Sequence, residues 1–306
     1  MLKYILKRLL SLLPVLFVVS VLVTMIVHLM PGDPARVIAG DMATEEDVER
    51  VRVAYGLDLP IYKQYLRYMS GVLKGDLGTS TRTHRPVADD LKIRFPKTFQ
   101  LAIFATLVAS LIGVGIGILS ASMRYSLLDN IVSFVALLGL ATPPFYLGMM
   151  CILFFCVQLG WLPISSDVAY IALLLPVASV SARSLAVIAR MTRSSMLEVL
   201  GQDYILMAKA QGYSKRKVVF GCALKNAMTS VITSIGLQFG VLLGGAVVTE
   251  KVFGWPGIGD YLVTAIKARD FMVVQSTVLV IALSYVIVNL LIDLLYALIN
   301  PKIKFN

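Results

Sequence analysis

Residues 226–249 read NAMTSVITSIGLQFGVLLGGAVVT and contain no charged side chain. A helix needs about 20 apolar residues to cross the roughly 30 Å hydrocarbon core of a bilayer, and this stretch is long enough. The rest of the chain has the same character, because 58% of its 306 residues are hydrophobic and only 15% are charged. A soluble domain of this length would need more charge to cover its surface, so we predict an all-α integral membrane protein.

Six uncharged runs predict six transmembrane helices. They are Leu9–Met30, Thr98–Met123, Asn130–Leu159, Val168–Ala182, Asn226–Thr249 and Phe271–Ile292. The third run is the first part of a longer apolar stretch, which we end before Trp161 and Pro163 because these residues favour a loop. We expect the fourth helix to continue past Arg183 towards Arg190, with both arginines near the interface or facing protein. A cleaved signal peptide is the less favoured interpretation of the first run, which is too long for one.

The basic residues indicate the orientation. With a cytoplasmic amino terminus, the cytoplasmic segments carry fourteen Lys or Arg against four acidic residues, whereas the opposite side has fourteen of each. The positive-inside rule therefore places both termini in the cytoplasm. The predicted parts are a tip with the first helix (1–30), an external loop domain (31–97), helices 2–6 (98–298) with a cytoplasmic segment (190–225), and a cytoplasmic tail (299–306).

The external loop contains two amphipathic patterns that predict short helices. The first is TEEDVERVRVAYGL, in which Thr44 and Asp47 have the spacing of a capping box and Gly56 ends the helix. The second is IYKQYLRYMSGVL, residues 61–73. The loop is therefore predicted to be a folded element and not a linker.

Small residues recur at intervals of four in two of the predicted spans. The fifth span has Gly236, Gly240 and Gly244, and the second has Ala105, Ala109, Gly113 and Gly117. Residues with this spacing lie on one helical face and let two backbones approach closely in lipid. The face serves either packing within the chain or contact with a partner subunit or a translocation path.

The cytoplasmic segment includes MAKAQGYSKRKVV, residues 207–219, with four basic side chains. We predict a helix that is capped by Ser194 or Ser195 and ends at Gly212, followed by a second helix that starts at Ser214. Two short helices with a sharp bend would form a knob outside the bilayer, suited to a groove in another protein. The alternative is that these basic helices only bind anionic lipid.

Several kinds of chemistry have no sequence support. The chain has no P-loop, HExxH, GxSxG or CxxC motif, and its two histidines, His28 and His84, are far apart. Its three cysteines are expected to be reduced packing residues, because Cys222 is predicted to be cytoplasmic. Asp293 is the one acid near a span interior, so ion-coupled transport has little support. We predict a protein that moves or holds something without an energy source of its own.

Four stretches resemble the first permease subunit of dipeptide, oligopeptide, glutathione or nickel ABC importers. They are MLKYILKRLLSLLPVLFVVSVLVTMIVHLMPGDPARVIAG (1–40), GDLGTSTRTHRPVADDL (75–91), AKAQG (208–212) and GGAVVTEKVFGWPGIGDYLVTAIKARDFMVVQ (244–275). AKAQG resembles the loop with which such permeases seat a short coupling helix in a cleft of an ATPase. Together they imply the type I ABC importer permease fold, with 98–298 as its transmembrane domain.

The resemblance also implies functional residues and partners. The ATPase-coupling residues would be Asp203, Tyr204, Ala208, Lys209, Ala210, Gln211 and Gly212. The partners would be a homologous second permease, two cytoplasmic ATPase subunits carrying ATP and magnesium, an extracytoplasmic substrate-binding protein and membrane lipid, and not nucleic acid. This chain would bind no cofactor or metal, and it would lie in the bacterial inner membrane.

The WPGIG stretch predicts a turn followed by a short re-entrant or interfacial helix on the external side. It is either a tight loop with an aromatic anchor or part of an external gate that receives substrate. The candidate gate or binding-protein contacts are Glu250, Lys251, Trp255, Pro256, Gly257 and Asp270.

We therefore predict a non-enzymatic permease subunit of an ATP-driven importer of small peptides. Glutathione and a nickel chelate are the alternative substrates within the same architecture. A secondary carrier or channel is the alternative from another class, and a membrane enzyme is disfavoured because no nucleophile with a base and no metal set is present.

Overall fold

The computed structural model describes residues 2–29, 32–40, 42–163 and 169–299. Apart from an isolated bridge between Thr79 and Pro86, regular structure in these residues is helical. In chain order the helices are α1 (Leu2–Leu29), α2 (Pro34–Ala39), α3 (Glu45–Tyr55), α4 (Ile61–Val72), α5 (Val87–Ser122), α6 (Leu127–Ala141), α7 (Pro144–Cys151), α8 (Ala169–Leu200), α9 (Asp203–Ala210), α10 (Leu224–Gly245), α11 (Val247–Phe253), α12 (Ile258–Ala268) and α13 (Phe271–Ile299). π-Helical segments follow α7 (Ile152–Gln158) and precede α10 (Lys217–Ala223).

Five of the six predicted spans have a counterpart that is long and apolar enough to cross a membrane, when one bent pair of helices is taken as a single span. Four stretches are long and apolar enough to cross a membrane: Val87–Ser122, Ile171–Leu200, Lys217–Gly244 and Phe271–Leu294. α6 and α7 meet the same criterion as a bent pair, and α1 contains the apolar stretch Leu12–Ile26. The prediction of an all-α membrane protein is confirmed. Met30, residues 164–167 of the predicted loop after span three, Val168 at the start of predicted span four, and the tail from 300 lie outside the described residues.

The predicted extents of two helices are wrong. Span three is not one helix, because its halves meet at an angle of 101°. Thr142 is extended there, with φ −86° and ψ 123°, since Pro143 disfavours a helical conformation in the residue before it. The predicted start of a helix at Ser194 or Ser195 is also wrong, because both serines lie inside α8. The break between α8 and α9 comes at Gly201.

The two short helices predicted in the external loop are present as α3 and α4. Thr44 caps α3: its hydroxyl accepts a hydrogen bond from the Asp47 backbone N–H at 3.2 Å, and Asp47 accepts one from the Thr44 N–H at 3.1 Å. Gly56 ends the helix in the left-handed conformation, φ 68°. The capping-box prediction is confirmed.

The chain divides into two compact units. One comprises Leu2–Thr98 with Trp255–Val286, and the other comprises Phe99–Gly254 with the described residues from Ile287 onward. The first unit has a core formed by the start of α5, by α12 and by the start of α13. Its buried members are Val87, Leu91, Ile258, Tyr261, Ala265, Phe271, Val273 and Val274.

In the second unit α8 is the central helix. It packs against α6, α7 and α10. More than half of the most apolar 18-residue stretch of α8 is buried, whereas about a third of the corresponding stretch of α5 is buried. A membrane helix that packs against protein on most of its surface needs fewer lipid-facing apolar residues. This accounts for the buried serines within the α8 span, Ser179, Ser181 and Ser184.

Glycines let α5 approach α8 closely. A Cβ atom added to Gly113 would lie 3.0 Å from the Leu185 carbonyl oxygen, and one added to Gly117 would lie 2.6 Å from the Ala189 carbonyl oxygen. Similarly, a Cβ atom on Gly236 in α10 would lie 2.8 Å from Cγ1 of Ile292 in α13. The glycines at these positions therefore pack helices within this chain.

A buried ion pair ties α6 to α8. The Asp129 carboxylate is 2% exposed and accepts bonds from Nε and an Nη of Arg193, at 2.7 and 2.9 Å. It also accepts from the Ser120 hydroxyl and from the Tyr125 backbone N–H. The ends of α5, α6 and α8 therefore meet at one carboxylate.

Replacing Gly117 by leucine should force α5 away from α8. Even the Cβ atom would lie 2.5 Å from the Thr192 Cβ, so we expect the free energy of unfolding to fall by about 3 kcal/mol. The measurement is the thermal unfolding midpoint of detergent-solubilised protein. Gly115→Leu is the matched control, because a Cβ there meets nothing within 4 Å. Equal losses in both variants would contradict the packing assignment.

Asp129→Ala should leave the Arg193 guanidinium without its partner. Breaking a buried pair costs about 3–5 kcal/mol. The Arg193 side chain is 29% exposed and water offsets part of the loss, so we expect about 3 kcal/mol, seen as a lower unfolding midpoint. Glu198→Ala removes an exposed acid from α8, the helix that carries Arg193, and should leave the midpoint unchanged. A stable Asp129→Ala protein would show that the pair does not hold α6 against α8.

Candidate functional site

The predicted knob is the short helix α9, which is anchored along one face. Ile205 is fully buried and Ala208 is 7% exposed. Ile205 belongs to the same core as Val218 and Val219 of the following helical segment and Met196 of α8. Burial of these apolar side chains holds α9 firmly against the end of the bundle.

The other face of α9 is exposed and apolar at its centre. Leu206 and Met207 are 56% and 63% exposed. Lys209, Ala210 and Gln211 beside them are exposed as well. Exposed large apolar side chains with a polar rim are typical of protein interaction surfaces. We call the exposed residues 206, 207 and 209–211 the α9 face.

The chain leaves α9 through a constrained turn. Gly212 has φ 80°, and its backbone N–H donates to the Lys209 carbonyl oxygen at 3.0 Å. Ser214 then caps the next helical segment, since its hydroxyl accepts from the Lys217 N–H at 3.3 Å. The predicted roles of Gly212 and Ser214 at this bend are confirmed.

Tyr204 connects α9 to the helix that follows. Its hydroxyl accepts a hydrogen bond from Nδ2 of Asn226 in α10, at 2.7 Å. Asp203 is exposed in the first turn of α9. The predicted coupling residues thus lie in one continuous segment, in which Ala208 faces the core and the others are exposed.

A second group of predicted residues surrounds α12. Trp255 is buried, and its indole N–H donates to the Lys97 carbonyl oxygen at 3.0 Å. Gly257 is the residue that precedes α12, and the Ile258 N–H donates to the Thr98 hydroxyl at 2.9 Å. The short helix predicted after WPGIG is confirmed as α12, and Pro256 remains exposed at its start.

Tyr261 fastens α12 to the first turn of α5. Its hydroxyl donates to the Asp90 carboxylate at 3.0 Å, and the Arg94 guanidinium lies 4.7 Å from the centre of its ring. Burial, together with the bond to Asp90, raises the pKa of Tyr261 well above its usual range. The phenol therefore stays protonated and serves as a hydrogen-bond donor.

Two of the predicted external contact residues are buried. Glu250 is 1% exposed and Asp270 is 2% exposed. Asp270 accepts from the Ser80 hydroxyl at 2.6 Å and from the Val273 N–H at the start of α13, at 3.3 Å. A buried carboxylate is not accessible to a binding protein, so Glu250 and Asp270 are not surface contacts in this structure. Lys251 is exposed.

The sequence pattern missed the ion pair that joins α6 to α8 in the second unit. Asp129 and Arg193 were counted as charges but not paired, because they lie 64 residues apart on different helices. Arg183 and Arg190, which were predicted near the interface or facing protein, are both exposed on α8 within this chain. In the part of the chain that the structure describes, no group of three or more His, Cys, Asp or Glu could hold a metal ion.

Comparison with known proteins shows the relationship of the whole chain. Residues 113–305 match the family model described as binding-protein-dependent transport system inner membrane component. Residues 1–102 match the corresponding N-terminal model. The chain is 45% identical over 306 residues to the glutathione transport system permease protein GsiC of Escherichia coli, with all of both chains covered. It is equally similar, with the same coverage, to GsiC of Shigella dysenteriae serotype 1 and of Shigella flexneri serotype 5b.

A family match over more than half of the chain and full-length similarity agree with the helical fold. They also agree with the resemblance found in the sequence. The chain therefore belongs to the family of binding-protein-dependent inner membrane transport components and is a permease subunit of an ABC importer.

Proposed function

We propose that this chain and a homologous second permease together form a translocation path for glutathione. The observation that carries the substrate is the 45% identity to GsiC over the complete length. Glutathione is itself a small peptide, so the proposal stays within the predicted substrate class. Dipeptides and longer peptides are the neighbouring substrates in the same class, and a nickel chelate has less support.

The energy source in this proposal is a pair of cytoplasmic ATPase subunits that bind ATP and magnesium. The α9 face supports such docking, because Leu206 and Met207 expose apolar surface on a helix whose other side is firmly packed. A rigid protrusion transmits displacement, whereas a flexible one would absorb it. Closure of the ATPases would move α9, and α8 would change its tilt to switch access from one side to the other.

The remaining parts of the proposal concern the opposite side of the membrane. Both termini lie in the cytoplasm of a bacterial cell, which places residues 31–97 and α12 outside. An extracytoplasmic binding protein delivers the substrate to this surface. Its contacts would be made on each unit separately: Lys251 in one unit and Pro256 in the other are exposed, whereas Trp255 and Gly257 are buried.

Proteoliposomes test the proposed substrate and energy source directly. We expect the chain, reconstituted with its second permease, ATPases and binding protein, to take up radiolabelled glutathione only when ATP is present on the ATPase side. Dialanine should be taken up more slowly. The chain reconstituted alone should transport neither compound. Uptake by the chain alone, driven by an ion gradient, would instead support a secondary carrier.

Met207→Glu should uncouple the transporter. A charge in the middle of an apolar docking face must be desolvated on binding, so we expect at least a tenfold fall in ATP-dependent uptake, equivalent to about 1.4 kcal/mol. Leu127→Glu is the matched control, since Leu127 is 77% exposed at the first residue of α6. Pull-down of the ATPases should fall with uptake for Met207→Glu alone. Retained ATPase binding in that variant would exclude the α9 face as the docking surface.

A further inference from the structure

Arg183 lies close to the middle of the membrane-spanning part of α8. Ten residues, or about 15 Å of helix, separate it from Arg193, which pairs with Asp129 near the end of α5. Gly113 gives an independent marker of depth: it packs beside Leu185 and lies near the centre of the apolar part of α5. Because a hydrocarbon core is about 30 Å thick, the position of Arg183 is near mid-depth.

The Arg183 side chain is exposed on an otherwise mainly buried helix. Its guanidinium forms no hydrogen bond or ion pair with the residues that the structure describes. A charged group facing lipid at this depth is costly, so intramembrane arginines face water, a ligand or a counter-charge. The open face of α8 at Arg183 is therefore not a lipid-facing surface.

Neighbouring side chains extend this polar region. Ser184 is 2% exposed and donates to the side-chain oxygen of Gln238 in α10, at 3.2 Å. Arg190, which is also exposed, lies seven residues after Arg183, and seven residues are close to two helical turns. Two guanidinium groups therefore follow one face of α8, about 10 Å apart along the helix axis.

We propose that Arg183 binds the carboxylate of the transported substrate midway along the translocation path. This inference depends on the proposed function, in which the chain forms half of a path for small peptides such as glutathione. Guanidinium groups pair with carboxylates through two parallel hydrogen bonds. A free carboxylate is the group that glutathione and other peptides have in common. Arg190 is placed to receive the same carboxylate one step further along the path.

Uptake by the complete reconstituted transporter tests the chemical role. Arg183→Gln should lower ATP-driven glutathione uptake at least tenfold, which corresponds to about 1.4 kcal/mol, because the charge is lost. Arg183→Lys keeps the charge but not the paired geometry and should lower uptake about threefold. Arg124→Gln removes a cation from the exposed turn between α5 and α6 and should change nothing.

ATP hydrolysis distinguishes substrate binding from a structural role. Hydrolysis stimulated by the loaded binding protein should persist in Arg183→Gln, so that fewer substrate molecules are moved per ATP. If assembly and hydrolysis fall together with uptake, Arg183 contacts the second permease and the inference is overturned. Unchanged uptake in Arg183→Gln overturns it as well. Absence of ATP-dependent uptake of glutathione and dialanine by the wild-type complex would instead refute the proposed function.

Thiol labelling tests whether Arg183 lies in an aqueous path, and this test does not depend on the identity of the substrate. In a background with Cys151, Cys156 and Cys222 replaced by serine, Arg183→Cys should react with a membrane-impermeant anionic methanethiosulfonate. Saturating glutathione should slow the reaction at least threefold. Leu174→Cys is the control, because Leu174 is exposed on the opposite face of α8, nine residues away, and should not react. An unreactive Arg183→Cys, both with and without nucleotide, would refute a position in an aqueous path.

Discussion

The close packing of α5 on α8 at Gly113 and Gly117 constrains how the helices of the second unit assemble. Inside a bilayer apolar side chains gain little by leaving lipid, so helices associate through van der Waals contact and hydrogen bonds between surfaces that fit. Gly113 and Gly117 remove the side chains that would keep these two backbones apart. With α5 in place, α6, α7 and α10 complete the surroundings of α8. This burial allows α8 to carry polar side chains that an isolated membrane helix would not tolerate.

α8 places three distinct features along a single rigid element. Its exposed face carries Arg183, its end carries the ion pair to Asp129, and the chain then turns at Gly201 into α9. Under the proposed function, a force applied to α9 reaches the substrate path without passing through a flexible loop. The ion pair couples α6 to the same motion. The 101° bend between α6 and α7 separates α6 from the second half of the third span.

Buried carboxylates in this protein fasten helix ends. Asp129 joins three helices, and Asp270 joins the Ser80 loop to the beginning of α13. Both were visible in the sequence only as charges flanking apolar runs, a position that also suits a surface contact. A carboxylate near a helix amino terminus is stabilised by backbone N–H groups and by the helix dipole. Once the carboxylate has such donors, a neighbouring hydroxyl or guanidinium group completes its hydrogen bonding.

Features that depend on local rules could be predicted from the order of the residues. Uncharged runs of sufficient length predicted the membrane helices, the spacing of Thr44 and Asp47 predicted the capping box, and Gly212 predicted the bend after α9. These succeed because hydropathy, capping and left-handed glycine are properties of neighbouring residues. The motifs in 75–91 and 244–275 were specific enough to predict the family that the full-length similarity shows.

Which side chains are buried, and which pair with one another, became visible only in the folded protein. It paired Asp129 with Arg193, enclosed Glu250 and Asp270, and left Arg183 exposed in the middle of a span. It also showed that α8 continues through Ser194 and Ser195, since packing against neighbouring helices outweighs a local capping preference. Contacts between residues far apart in the chain depend on how helices pack, and neither periodicity nor composition records that packing.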